Sequence, residues 1–303
     1  MIIAGMTTPL TGALRLNDLG LIRAVGEDAA KFLHSQLTQD FALLGMDQAR
    51  LAGFCSAKGR LLATMIGWKA GEQEILLALP AELLPTILKR LSMFVLRAKC
   101  KLSDATADWA LWGLAGPADA GTRWSLSREG EAMRIRLPDV GAQARWLLAQ
   151  PAAGMAPALP ALAEADWQWL ELQSGLPWVR AATSEQFVPQ MLNLELLGGV
   201  NFQKGCYPGQ EVVARSQYRG TLKRRTFLYE LEGPAAPGQE IFHSEDPGQP
   251  AGLVANAAKR GGHSLVLAET KIAALDSGSL HLGSADGPLL RPRQLPYALT
   301  QAE

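Results

Sequence analysis

The order of elements along the chain predicts an α+β protein that ends in a small all-β barrel. Three observations carry this expectation. In the N-terminal third, strand-like apolar runs alternate with two amphipathic helices and a hairpin, the pattern of a sheet with helices on one side. Residues 151–160, a run of Pro, Ala and Gly, form the clearest internal linker. Beyond Thr226, short apolar runs are separated by Gly-, Pro- and Asp-rich punctuation, as in a small barrel or sandwich.

Taken in order, residues 19–25 read as a strand closed by Gly26, and 27–39 as a helix with Phe32, Leu33 and Leu37 on one face and acids in its first turn. Residues 50–55 and 60–68 read as two strands joined by a turn at 57–59, and 74–79 as another strand. A helix over 81–93 carries Leu84, Ile87, Leu88 and Leu91. Residues 96–102 and 109–114 are further strands, 118–128 a loop or short surface helix, and 133–137 and 145–149 strands again. A helix over 164–174 stops at Gly175 and Pro177, and 184–197 is mixed. The last part reads as strands at 227–231, 240–242, 253–255 and 264–267. The domain organisation expected is 1–150, 160–222 and 223–303, with the last boundary near 220–225.

The 303 residues are 48% hydrophobic and include eight Trp, ample for real cores, which excludes global disorder. Basic and acidic residues number 29 each. A general nucleic-acid binder carries a basic excess, so sequence-specific nucleic-acid binding is not expected and any anion site is a local patch. Residues 1–10 hold no basic residue and no long apolar run, and no stretch approaches the roughly 18 apolar residues of a membrane span. The expectation is a soluble, cytoplasmic monomer. Cys55, Cys100 and Cys206 form no CxxC pair and suit a reducing compartment. Four scattered histidines and three cysteines supply neither metal-ligand spacing nor the four thiolates of an iron–sulfur cluster.

The most unusual stretch is Asn201-Phe202-Gln203-Lys204-Gly205-Cys206-Tyr207-Pro208-Gly209-Gln210-Glu211. Two glycines call for a sharp loop, and Pro208 suits the first turn of a helix over 209–218 with Val212 and Val213 inward. Cys206 then stands just outside a helix N-terminus and two residues from Lys204, where both the aligned N–H groups and the ammonium favour the thiolate. The plainer alternative is a small buried hydrophobe in a tight turn.

Lys204-Gly205-Cys206-Tyr207-x-Gly209-Gln210-Glu211, followed by Ala214-Arg215, resembles the signature of the YgfZ-type folate-binding family. Phe187-Val188-Pro189-Gln190, Asn193-Leu194 and Leu197-Gly198-Gly199-Val200 resemble its lead-in, and Tyr218-Arg219-Gly220 with Lys223-Arg224 its exit. Gln36-Leu37-Thr38-Gln39-Asp40 resembles the family's helix end, Ser56-Ala57-Lys58-Gly59-Arg60 its hairpin turn, and Ala251-Gly252-Leu253-Val254 the start of its barrel. The cysteine segment is the specific one, and the others are individually weak.

The resemblance implies a three-domain fold like the glycine-cleavage T-protein (aminomethyltransferase), built around a central hole that holds tetrahydrofolate. It also implies support of iron–sulfur client or assembly proteins, including an enzyme that thiomethylates tRNA. It maps the family's functional thiol onto Cys206, with Lys204 as electrostatic partner, and a pterin-contacting Trp onto Trp169. A second aromatic contact of the family falls on Leu19, which offers no π face. Tyr207, Gln210, Glu211 and Arg215 are implied at the folate site, although Gln210, Glu211 and Arg215 are equally read as fixing the helix.

Trp167 and Trp169 lie two positions apart on one helix and cannot share a groove, and either also reads as a core residue. Lys204, Arg215, Arg219, Lys223, Arg224 and Arg225 gather against one nearby acid, Glu211, and read either as a patch for polyglutamylated folate or a tRNA-linked partner, or as a solvated helix end. T-proteins carry an acidic pair on the strand after the glycine turn, where this chain has Ala63 and Thr64. Neither side chain can act as a carboxylate, which argues against aminomethyl transfer. A third reading is a folate-independent thiol redox or cluster-transfer protein. No phosphate loop, dinucleotide fingerprint or HExxH motif occurs.

Overall fold

The computed structural model describes residues 9–218 and 222–299, so Arg219 and Gly220 lie outside the described residues. Gly12–Arg15 (β1) opens the described chain. Leu19–Val25 (β2), Ala49–Cys55 (β3), Leu61–Gly71 (β4), Glu74–Pro80 (β5) and Lys101–Asp104 (β6) build the first sheet, in the order β3-β4-β5-β2-β6. The helices Ala29–Gln36 (α1) and Leu84–Ser92 (α2) belong to this unit. Residues 61–68 of β4 are buried at every position, as suits a strand covered on both faces.

Trp109–Pro117 (β7), Leu126–Glu129 (β8), Ala132–Arg136 (β9) and Gln143–Pro151 (β10) form a second antiparallel sheet, on which β1 is the edge strand beside β7. One apolar core, from Leu16 to Val213 with Ala255 of the last unit, runs through both sheets and the segment that follows. Glu164–Gln173 (α3) and Gln210–Tyr218 (α4) sit in that segment.

The last unit comprises Arg224–Glu232 (β11), Glu240–His243 (β12), Asp246–Arg260 (β13), His263–Lys271 (β14), Leu280–Leu282 (β15) and Arg291–Arg293 (β16). Its order, β15-β12-β13-β14-β11-β16, curls until the chain entering β16 meets β15, where the Leu290 amide donates to the Leu280 carbonyl at 2.8 Å. The expected barrel is therefore present as a curled six-stranded sheet. No helix among the described residues is long and apolar enough to cross a membrane.

Several local expectations need correction. Residues 96–100 are not a strand: Leu96 has φ of +44° and is 86% exposed, and pairing with β2 begins only at Lys101. α1 spans eight residues with no acid in its first turn, because Asp28 turns its carboxylate to the Lys99 amide (2.8 Å). The loop expected at 118–128 ends in β8. β1 was missed, being four residues long and at an edge.

Candidate functional site: a loop clamped by the motif segments

Leu37 leaves α1 in extended conformation, and the polar groups of Thr38 and Gln39 turn to distant parts of the chain. The buried Thr38 hydroxyl donates to the Gly199 carbonyl (2.6 Å) and accepts from the Gly53 amide (2.7 Å). The Asn201 amide donates to the Thr38 carbonyl (2.9 Å), and Gln39 reaches the Gly198 carbonyl. The start of β4 accepts a similar stitch from 184–187: Leu61 donates to Phe187 (2.8 Å) and Glu185 donates back to Leu61 (2.7 Å). Gln190 donates to the Val213 carbonyl of α4 (2.8 Å) and Asn193 to the Thr226 carbonyl of β11 (2.7 Å). Segments that read as separate motifs are thus one hydrogen-bonded knot.

The cysteine loop lies on this knot. Gly209 has φ of +79°, so it stands before the helix and α4 begins at Gln210, with Pro208 in the preceding turn. A Cβ on Gly209 would lie 2.4 Å from the Ser56 carbonyl oxygen and 2.6 Å from the Gly59 Cα, so this turn and the 56–60 hairpin meet backbone to backbone. Val213 is buried, but Val212 is 38% exposed and rests on Gly59, which corrects the expectation that both valines point inward. Phe202 meets Tyr218 edge to face at 5.8 Å, tying the loop to the far end of α4.

Lys204 is buried, and its ammonium donates to the carbonyls of His34 and, at 3.0 Å, Leu37. These acceptors close the C-terminal end of α1, where a cation is favoured. Its ammonium also sits 4.7 Å from the centre of the Tyr207 ring. Burial lowers the amine to about 8, against the opposing attraction of Asp40 and Cys206. Lys204 is therefore first a clamp between the loop and α1, a role that its spacing from Cys206 does not reveal. Tyr207 is buried in the same contact, and its hydroxyl is pushed up by that burial.

Of the three cysteines, Cys206 is the exposed one. Cys55 is buried in β3, and its thiol is pushed up to about 12 by desolvation. Beside the loop, His34 Nδ1 lies 2.9 Å from Asp40 Oδ1. Burial alone would raise the Asp40 carboxyl, but the Leu43 amide and His34 hold it below the ordinary range. Glu211 and Arg215 lie on the exposed face of α4, with Gln210 half-buried at its start. Sequence reasoning passed over the His34–Asp40 pair because His34 has no metal-ligand spacing. No group of three or more His, Cys, Asp or Glu among the described residues is arranged to hold a metal ion.

Two cations of the expected patch are paired with acids. Arg224 binds both Glu269 oxygens (3.0 and 2.9 Å), and Arg225 is buried against Glu195, Gln190 and Asn193. The acids come from residues far from the patch in sequence, so counting only Glu211 was misleading. Arg215 and Lys223 are the exposed cations of the patch among the described residues.

Trp167 and Trp169 point to opposite sides, as their spacing requires. Trp167 is buried beneath the Arg145 guanidinium at 4.6 Å, while Trp169 packs on the barrel cluster with Leu228, Leu265 and Leu267. Leu19 is buried beside a cleft of about 80 Å³ with Trp109 and Leu111. A cavity of about 380 Å³ opens instead between the first sheet, α3 and the barrel, lined by Asp18, Glu82, Gln168, Glu171, Arg180 and Asn256. Burial raises the Glu171 carboxyl despite the Arg145 guanidinium 3.4 Å away and hydrogen bonding from Trp178. Asn256 holds both the amide and the carbonyl of Trp178 (3.0 and 2.8 Å), joining the barrel to the cavity wall.

At the positions of the T-protein acids, Ala63 and Thr64 are fully buried. The Thr64 hydroxyl accepts from the Val179 amide (2.9 Å) and donates to the Pro177 carbonyl (3.2 Å). It serves as a stitch in the fold.

No protein-family model matches the chain. The tRNA-modifying protein YgfZ of Serratia proteamaculans is 34% identical over 247 residues, 75% of this chain and 72% of that protein. The tRNA-modifying protein YgfZ of Photorhabdus laumondii is 30% identical over 99% of this chain and 96% of its own length. Among solved structures, the glycine cleavage system aminomethyltransferase T of Bartonella henselae superposes with a TM-score of 0.75 at 18% identity, covering 96% of this chain and 87% of that one. The fold is thus that of aminomethyltransferase T, and the chain belongs to the YgfZ family.

Proposed function

We propose that this protein is a tetrahydrofolate-binding accessory factor for iron–sulfur enzymes, among them one that modifies tRNA, with Cys206 as its working thiol. The observation that carries the reading is the knot itself. Two segments distant in sequence, the α1 exit and the 56–60 hairpin, converge to hold one loop, and that loop presents the exposed cysteine of the chain. A structural cysteine would need no such support on the surface.

Folate fits the cavity between the first sheet, α3 and the barrel. Its volume, about 380 Å³, falls within the roughly 300–1,000 Å³ of small-molecule sites, whereas the cleft at Leu19 falls well below it. The donor-rich pyrimidine edge of a pterin suits the carboxylates of Glu171 and Glu82, beside the Arg180–Asp18 ion pair (3.3 Å). Trp169, next to the cavity-lining Gln168, stands at its flank rather than in its wall. Aminomethyl transfer is disfavoured because Ala63 and Thr64 supply no carboxylate at the acid positions.

Two measurements test the reading. Tetrahydrofolate should quench the intrinsic Trp fluorescence of the full chain, with Kd at least tenfold higher in Glu171→Gln and smaller quenching in Trp169→Ala. In cells lacking the protein, Cys206→Ser should fail to restore a radical-type iron–sulfur enzyme. Absence of folate binding removes the cofactor, and full rescue by Cys206→Ser removes the thiol.

A further inference from the structure

We infer that His34, held by Asp40, is the proton acceptor for the Cys206 thiol, directly or through one water. The inference deepens the preceding reading and rests on its assignment of Cys206 as the working thiol.

The geometry has three parts. First, Asp40 Oδ1 engages His34 Nδ1 at 2.9 Å, which fixes the ring and leaves the Nε2 lone pair outward when Nδ1 carries the proton. Second, Nε2 has no hydrogen-bond partner among the described residues, and it looks at the cysteine loop. A Cβ built on Gly205 would lie 3.6 Å from Nε2 and meet no other heavy atom within 4 Å. The residue directly before Cys206 thus leaves the imidazole edge uncovered, where a Cβ would rest in van der Waals contact with it. Third, Lys204 pins this backbone to α1 by donating to the carbonyls of His34 itself and of Leu37, and Cys206 acts electrostatically on that ammonium. The His34–Asp40 pair and the backbone that carries Cys206 are brought together from two segments 170 residues apart.

Asp40 from the α1 exit meets the ring and Lys204 the His34 carbonyl; Tyr207 and Cys206 belong to the loop that carries Lys204, and Lys31 lies one turn earlier on α1. The carboxylate of Asp40 holds the ring, and the ammonium of Lys204 holds the loop. In the step inferred, the proton leaves Cys206 Sγ for His34 Nε2, giving a thiolate and an imidazolium held by Asp40. No electron changes hands. This is the orienter–base–nucleophile logic of activated thiols, with His34 acting on the sulfur and Asp40 as a positioning residue.

The test is the rate of Cys206 alkylation by iodoacetamide from pH 5.5 to 10.5, read by mass spectrometry of the Cys206 peptide in the full chain. Wild type should react at least tenfold faster than His34→Gln at pH 7, and the two rates should converge near pH 10.5, where an unassisted thiol is ionised. Asp40→Asn, which keeps an oxygen for the Leu43 amide, should fall between them. Superimposable profiles of wild type and His34→Gln overturn the inference. Cys55, buried in β3, is the internal control. If it also becomes labelled in His34→Gln, that variant has opened the fold, and Asp40→Asn decides on the same criterion. Because the measurement uses isolated protein without folate, its outcome is independent of the rescue and folate experiments above.

Discussion

Replacing Thr38 by Val isolates the energetics of the knot. The substitution keeps the β-branched shape and removes the hydroxyl, at a side chain with no solvent exposure. That hydroxyl serves two backbone groups at once, the Gly199 carbonyl at 2.6 Å and the Gly53 amide at 2.7 Å. Val leaves both without their partner in a site water does not reach. An orphaned buried polar group costs about 1–3 kcal/mol, so the pair should cost about 2–6 kcal/mol. Thr38→Ser keeps the hydroxyl and loses one buried methyl, near 1 kcal/mol. Urea unfolding followed by tryptophan fluorescence, with slopes compared to confirm a common transition, measures both. The ordering expected is wild type, then Thr38→Ser, then Thr38→Val. A Thr38→Val protein within 0.5 kcal/mol of wild type would refute the view that this hydroxyl joins α1, β3 and the Gly198-Gly199 segment.

Gly209→Ala should cost about 2–4 kcal/mol, from a left-handed backbone and a Cβ placed against the Ser56 carbonyl, and should raise protease cleavage within 201–209. Asn256→Leu strips the amide and carbonyl of Trp178 of their partner, and about 2–4 kcal/mol of stability should go with a blue- or red-shifted Trp emission. Lys204 gives a pH signature. Its folded-state amine is lowered to about 8 from 10.5, so between those values the unfolded chain holds the proton and the folded chain does not. Stability should therefore rise with pH across that window, and the rise, measured by urea midpoints, should be smaller in Lys204→Met. Tetrahydrofolate affinity should change less than about threefold between 50 and 500 mM salt, because Arg224 and Arg225 are already paired; a steep decline would restore the cation patch.

Much of this architecture was legible because period and punctuation agreed. β2 at Leu19–Val25 and α3 at Glu164–Gln173 follow their apolar patterns to within a residue, and Gly175 ends the latter as expected. Residues 96–100 misled because Met93, Phe94 and Leu96 are apolar yet exposed, and periodicity records composition without knowing which side water occupies. The site shows the same divide. The 201–211 segment was visible by its glycines, its proline and its cysteine, whereas the neighbouring motifs were individually weak and carried only by the resemblance. What a linear reading lacks is adjacency. Nothing in the spacing of Lys204 and Cys206 tells that the ammonium ends on α1, or that acids at 195 and 269 answer Arg225 and Arg224. Those pairings are set by tertiary closure across long stretches of chain.

The backbone contact between Gly59 and Gly209 also dictates when during synthesis the thiol acquires its surroundings. The 201–210 segment contributes little apolar burial of its own and takes its shape from residues made much earlier. α1, the hairpin and the first sheet are complete while the later half is still being translated, and domains fold in that vectorial order. Until α4 has emerged, the 201–210 segment lacks the helix it leads into. The surroundings of Cys206 are thus a property of the finished molecule, arriving last, as the final span locks onto a waiting template.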